Sequence, residues 1–361
     1  MRQDSPVTVA QIEDFDDVLD VRSPAEFAID HVPGAGSFPV LDNEERARVG
    51  TMYVQVSPFE ARKLGAALVA RNIARHIEAA FASHPATWRP LVYCWRGGKR
   101  SGAMAHVLRD IGWRAGQLEG GYLSYRRAVV ADLAALPLRF TLRVICGPTG
   151  SGKSSLLAAL QAQGAQVLDL EGLARHRGSV LGALPGDPQP SQKMFDSMLW
   201  NTLRHLDPSK PVYVESESRK IGLVQLPTAL LEHMRAAECV RIEPAIEERV
   251  RFLVQEYHHC IANPDWLRAR LGQLVELQPK TVMAHWMECI DRGAWVELVT
   301  DLLVRHYDPL YRRSMSRNFK AMEAAPVLRP ATLDAPALSA SAAQLLSATL
   351  PAQDRQDALA T

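Results

Sequence analysis

The sequence predicts an α/β protein: one α/β domain followed by a second α/β domain that is extended by helices at its C-terminal side. Three observations predict it. Short apolar runs alternate with segments of helical period, the pattern of a parallel sheet. The alternation occurs twice and is broken at LPLRF, residues 136–140, where Pro137 marks a linker. The 361 residues exceed what one hydrophobic core usually serves. The expected domains are residues 1–135 and 139–323, and the Ala-, Leu-, Pro- and Ser-rich stretch 324–361 reads as a poorly ordered tail.

In the first domain, DDVLD is a strand ending near Asp20, and SPAEF after it starts a helix. PLVYC is a second strand. After it, Met104, Val107, Leu108 and Ile111 fall at i, i+3, i+4 and i+7, one helical face. In the second domain TLRVIC is a strand, SSLLAALQAQ a helix stopped by Gly164, and AQVLDL, PVYVE and ECVRIE are further strands. Beyond residue 244 the pattern is helical.

Composition narrows the function classes. Apolar residues make up 47%, enough for real cores, and 41 Lys and Arg nearly balance 40 Asp and Glu. Nucleic-acid contact must therefore come from a local patch. No apolar run reaches the roughly 18 residues of a membrane span. The opening MRQDSPVTVAQIEDFDD lacks the apolar core of a secretory leader. The cysteines (94, 146, 239, 260, 289) contain no CxxC, which fits single thiols in a reducing cytoplasm.

YCWRGGKRS, residues 93–101, places one thiol among cations and glycines. A strand ends at Tyr93 and a helix begins near Ser101. Gly97 and Gly98 permit a tight curl whose amides form an anion nest, and Arg96, Lys99 and Arg100 add charge. Cys94 at its base should be partly thiolate, hence nucleophilic. Two chemistries use such a loop. In sulfur or selenium transfer the cysteine becomes a persulfide or perselenide. In phosphoester hydrolysis it becomes a phosphocysteine, and Cys94, Arg100 and Ser101 satisfy C-x5-R-[ST].

GPTGSGKS, residues 147–154, is a complete phosphate loop between an apolar strand and a helix. The amides of Gly147, Thr149, Gly150, Ser151 and Gly152 should cradle a di- or triphosphate. Lys153 should reach its terminal phosphates, and Ser154 should ligate Mg²⁺ if a metal binds. Candidates at the carboxyl ends of neighbouring strands are Asp169, Glu171, His176, Arg177, Glu215, Glu217, Arg219 and Lys220. YHHC and HWMEC lack standard zinc spacing, so no dedicated metal centre is expected. Trp266, Trp286 and Trp295 read as core, and LYRRSMSRNFK, residues 310–320, as a solvated helix end or a contact to RNA phosphates.

DVRSPAEFAIDHVPGA resembles the rhodanese signature, with Asp20, Arg22, Glu26, His31, Pro33 and Gly34 in order, though the cysteine loop is one residue longer than most. A rhodanese-like domain joined to a P-loop NTPase-like domain resembles the bacterial tRNA 2-selenouridine synthases from residue 5 to about 320, as do DLEGLARHRGS, PSQKMFD and ESESRKIGLVQLP. That resemblance implies replacement of the 2-thio sulfur of a tRNA wobble uridine by selenium, with selenophosphate as donor. The route implied runs through an S-geranylated base made from geranyl diphosphate. Cys94 matches the family's essential cysteine, and geranyl diphosphate is the expected client of the phosphate loop, with ATP or GTP as rivals. Expected partners are therefore tRNA, selenophosphate and geranyl diphosphate. A cysteine phosphatase fused to a nucleotide-binding module and an RNA-binding regulatory ATPase remain the alternatives.

Overall fold

The structure is a computed structural model and describes residues 7–179, 181–183 and 186–347. The chain forms two compact units. One comprises the residues up to Ala135 together with Pro190–Arg204, and the other comprises Leu136–Gln189 with the residues from His205 on.

In the first unit the strands β1 (Asp17–Asp20), β2 (Gly36–Ser37), β3 (Pro90–Tyr93) and β4 (Gly116–Gln117) form a parallel sheet in the order β2-β1-β3-β4. The central strand β3 is buried along its whole length, as expected for a parallel sheet covered on both faces. The helix Lys99–Ile111 covers it, burying Met104, Ala105 and Leu108, and ends at Gly112, whose φ of 112° suits a glycine. Ile111, expected on that buried face, is 50% exposed at the last residue of the helix.

One helix departs from the expected domain division. Gln192–Arg204, which the sequence places inside the second domain, packs in the first unit. It buries Phe195, Leu199, Trp200 and Leu203. Its polar groups meet carboxylates of that unit: Ser197 Oγ donates to Oδ1 of buried Asp30 (2.8 Å), and Trp200 Nε1 to Oδ2 of exposed Asp132 (2.7 Å). Arg126 pairs with Asp196. These pairings explain the docking, because a buried Asp30 without a donor would be costly.

The second unit holds β5 (Leu142–Cys146), β6 (Gln166–Leu168), β7 (Val212–Glu215), the antiparallel pair β8 (Lys220–Ile221) and β9 (Val224–Gln225), then β10 (Glu238–Ile242) and β11 (Val327–Leu328). The main sheet is parallel, in the order β11-β10-β5-β7-β6. The connection after β5 runs to β6 on one side of it and the connection after β7 runs to β10 on the other, and this reversal of strand order opens a crevice at the carboxyl end of β5. A further helical cluster buries Leu267, Leu271, Trp286, Ile290, Leu298 and Leu302. Trp286 is fully buried with its indole N–H on Asp301 Oδ2 (2.7 Å), and Trp266 and Trp295 pack half-buried around it.

The tail expectation is corrected from residue 327 to 347. β11 pairs with β10, and the helix Ala335–Ser347 buries Leu338, Ala342 and Leu345 in the core that also holds Leu156, Leu157 and Leu160. Leu338, Ala342 and Leu345 lie at i, i+4 and i+7, a stripe masked by the monotony of the surrounding Ala and Ser. The rest of the expected tail, 348–361, lies outside the described residues. Among the described residues no helix is long and apolar enough to cross a membrane.

Candidate active sites

Each unit carries a glycine-bearing loop between a strand and a helix. In the first, β3 delivers Cys94 at the base of a loop, and the helix starts at Lys99 with Gly98 as its N-cap, two residues before the expected start. Gly97 has φ 64°, and a Cβ there would lie 2.7 Å from the Leu118 carbonyl oxygen, so only glycine fits. Gly98 has open space around it, so no close packing requires a glycine there.

The Cys94 thiol is 3% exposed and accepts a hydrogen bond from Ser101 Oγ at 3.1 Å. Burial pushes this thiol up, but the Ser101 hydroxyl and amide, the Arg100 charge and the Gly98 amide outweigh it, and it titrates below the ordinary thiol range. Arg100 is the cation that acts here. Its Nη1 donates to Glu26 Oε2 at 3.1 Å, which holds it beside the loop. Arg96 and Lys99 are exposed and have no ion-pair partner among the described residues.

The DVRSP signature turns out to be mainly scaffolding. Arg22 and Asp20 form a buried pair at 2.6 Å, Tyr93 donates to Asp20 (2.7 Å), and Arg22 also reaches the Asp30 carbonyl (2.6 Å). His31 stacks on Phe27. Glu26 is the member that touches the cysteine loop. Gln117 was missed by sequence reasoning: its Nε2 donates to the Gly97 carbonyl (2.7 Å) and to Ser101 Oγ (3.0 Å). It comes from β4, twenty residues away from Gly97, and only the sheet brings it there.

In the second unit, β5 runs into the phosphate loop, and the next helix starts at Lys153. Gly150 and Gly152 take φ of 77° and 78°. A Cβ on Gly147 would lie 2.4 Å from Ser151 Oγ, so this glycine is needed for close packing. Lys153 Nζ donates to the Gly147 carbonyl (2.8 Å), bridging the loop, and Ser154 Oγ donates to Glu171 Oε2 (3.0 Å). The loop edges a cavity of about 670 Å³ that Lys153, Asp169, His176, Arg177 and Glu217 also line.

Carboxyls dominate the far side. Glu215 is fully buried. Its Oε1 accepts the Glu171 amide (2.8 Å), and its Oε2 has no hydrogen-bond partner among the described residues. Burial and the Asp169 charge push it well above the carboxylate range. Glu217 is pushed up to about 8, first by burial and then by the charge of Glu171. Asp169 serves as a helix cap, accepting the Gly172 amide at 2.7 Å. His176 accepts the Gly178 amide at Nδ1 (3.1 Å), and burial holds it below the ordinary imidazole range. Arg177 pairs with Glu256 at 3.2 Å and lies over the Tyr257 ring. Arg219 and Lys220 are exposed on the hairpin, and neither lines the cavity.

Two features escaped sequence reasoning. Buried Arg249 donates to the Thr149 carbonyl from Nε (3.0 Å) and Nη2 (2.8 Å) and grips Asp308 with both terminal nitrogens. It ties the phosphate loop to the helix Asp308–Asn318. That helix walls the cavity with Tyr311 and Met315, and Phe319 follows at its end, so the aromatic residues of LYRRSMSRNFK turn inward. Arg312, Arg313, Arg317 and Lys320 are exposed and have no ion-pair partner among the described residues. Separately, His285, Cys289 and Glu297 bring one ligand atom each within 4.8 Å of one another, where a His285–Glu297 contact of 3.7 Å and an Arg292–Glu297 pair of 2.8 Å already connect them.

Comparison with known proteins bears on both units. Residues 7–128 match the rhodanese-like domain family, and residues 140–264 match the family described as tRNA 2-selenouridine synthase AAA domain. The tRNA 2-selenouridine synthase of Nitrosomonas europaea is 38% identical over 272 residues, 73% of this chain and 69% of that protein. Those of Alcanivorax borkumensis and Bdellovibrio bacteriovorus are 32% and 31% identical over 83% of this chain, and over 90% and 89% of their own lengths. A thiol nest and a phosphate loop in one chain, each inside its matched domain, agree with these relatives, and the chain belongs to the tRNA 2-selenouridine synthase family.

Proposed function

We propose that this protein replaces the 2-thio sulfur of a tRNA wobble uridine by selenium, using geranyl diphosphate at the phosphate loop and selenophosphate at the cysteine loop. The first step is alkylation. The 2-thio sulfur attacks C1 of the geranyl group, the C–O bond breaks, and diphosphate leaves with the electron pair. Lys153 and the loop amides stabilise that developing charge. The resulting thioether is then displaced from C2 of the base by a selenium nucleophile, and geranyl thiol leaves.

The observation that carries the phosphate-loop assignment is a second, apolar chamber of about 60 Å³ beside the loop. It shares Thr149, Leu253, Tyr257 and Tyr307 with the larger cavity and is otherwise lined by groups such as Leu267, Leu298 and Leu302. A phosphate cradle opening onto aliphatic side chains suits a diphosphate with a hydrocarbon tail better than a nucleotide, whose base and ribose need polar partners. A divalent cation fits the same site: Ser154, Glu171 and the unpartnered Glu215 Oε2 are the groups that would hold it. When bound, it would neutralise diphosphate charge against the acidic wall. The exposed cations from Arg312 to Lys320 are the favoured surface for tRNA phosphates.

The test is a single incubation with 2-thiouridine tRNA, geranyl diphosphate and selenophosphate, with the digested nucleosides read by mass spectrometry. Wild type is expected to yield selenouridine, Cys94→Ser to stop at the geranylated base, and Lys153→Ala to make neither. Intact geranylation in Lys153→Ala would remove geranyl diphosphate from the phosphate loop and leave ATP or GTP as its client.

A further inference from the structure

The cysteine loop holds its thiol in an arrangement suited to attack on phosphorus. Among the described residues, none of the main-chain amides from Trp95 to Ser101 donates to a main-chain carbonyl. The amides of Gly98 and Ser101 bear on the Cys94 sulfur, and the rest of the curl is free for ligand oxygens. Arg100 closes the loop, fixed through one nitrogen by Glu26 and with further N–H groups to offer. The Ser101 hydroxyl faces Cys94 Sγ at 3.1 Å and the Gly98 carbonyl at 3.2 Å, and Gln117 donates to the same hydroxyl oxygen at 3.0 Å, so the one Ser101 proton is shared between that carbonyl and the sulfur and goes to the sulfur as negative charge builds there. A donor on the sulfur stabilises a thiolate that must act as a leaving group.

Electron balance points the same way. If the thiolate took selenium from selenophosphate, the P–Se pair would fall on phosphorus and leave it as strongly basic phosphorus(III). If the thiolate attacks phosphorus instead, no element changes oxidation state, and selenide, a weak base, is the leaving group.

We propose that Cys94 takes the phosphoryl group of selenophosphate, not its selenium. The S–P bond forms, the P–Se bond breaks, and selenide departs with the electron pair as the nucleophile for the activated base. Water then attacks phosphorus, the S–P pair returns to Cys94, and orthophosphate leaves. The loop amides and Arg100 hold the three phosphoryl oxygens throughout, and Ser101 supports the thiolate as it is expelled. This inference rests on selenophosphate being the donor.

The experiment uses the full chain and selenophosphate labelled with radioactive phosphorus, quenched in acid at short times. Wild type is expected to show a burst of protein-bound phosphorus at Cys94, then selenide and phosphate in equal amounts. Ser101→Ala should release phosphate at least about tenfold more slowly and accumulate the label, and Cys94→Ser should carry none. The burst in wild type keeps the test independent of how Ser101→Ala folds. Selenide release without protein-bound phosphorus, or selenium on Cys94, overturns the proposal and leaves the donor assignment standing. No selenide release by wild type overturns both.

Discussion

The two loops share one plan, a strand running into a glycine-bearing turn and a helix, yet they place opposite charge around it. At Cys94 the sulfur sits among amides, a hydroxyl and the Arg100 guanidinium, so a group that would resist ionisation when buried ionises more readily. At the phosphate loop, Lys153 shares the cavity with Glu171 and Glu217, Glu215 is buried on the Glu171 amide, and burial with mutual repulsion pushes Glu215 and Glu217 up. The first loop is arranged to make an anion react. The second is arranged to hold a polyanion, and its acidic wall calls for protons or a cation. Backbone geometry alone therefore says "anion"; the side chains brought in from elsewhere decide what is done with it.

The sharpest way to break the comparison is a cross-over of variants. Cys94→Ser should lower selenation by at least about a thousandfold while geranylation stays within about twofold. Lys153→Ala should lower geranylation by about a hundredfold while alkylation of Cys94 by iodoacetamide is unchanged. If both variants lose both steps equally, the loops do not divide the work.

A middle-sized effect concerns RNA. Replacing Arg312, Arg313 and Arg317 together by alanine should weaken tRNA binding about tenfold or more near physiological salt. It should also flatten the dependence of log affinity on log salt by about 2. Fluorescence anisotropy at several salt concentrations reads both, and diphosphate binding serves as the control that should not move.

The smallest effects are in pH. The Glu217 carboxyl, held up to about 8 in the fold, is neutral below that value and charged above it. Diphosphate binding measured by calorimetry without divalent cations should therefore weaken as pH rises through about 8, and Glu217→Gln should remove that step. The Cys94 sign is the reverse. Its thiol is held low, so its alkylation should persist below the ordinary thiol range, and Ser101→Ala should shift the profile upward. A Cys94 profile like that of a free thiol would contradict the electrostatics of the nest.

Much of this was legible because it is local. Cys94 with Arg100 and Ser101, and GPTGSGKS between a strand and a helix, each need only neighbours in sequence to define a loop, and the structure places both as loops between a strand and a helix. Other parts were not local. The Glu26 clamp on Arg100, Gln117 on Ser101, Arg249 on the Thr149 carbonyl and Glu217 against Glu171 join residues from separate elements. Asp169 and Arg219 looked like site residues because they follow strands. Asp169 caps a helix and also lines the cavity, whereas Arg219 stands outside it.

The helix Gln192–Arg204 makes the same point about the fold. Its amphipathic pattern predicts a buried face, but partners far away in sequence, Asp30, Arg126 and Asp132 among them, determine which unit receives it. The sequence by itself determined the class of the two units and the two strand–loop–helix turns on which the chemistry is proposed, because hydrophobic period and glycine placement act over a few residues. Tertiary structure alone decided which cation reaches Cys94, which carboxyls share the phosphate cavity, and that an apolar chamber adjoins it. Those depend on burial and on distances across the sheet, which set electrostatic strength and exist only once the chain is folded.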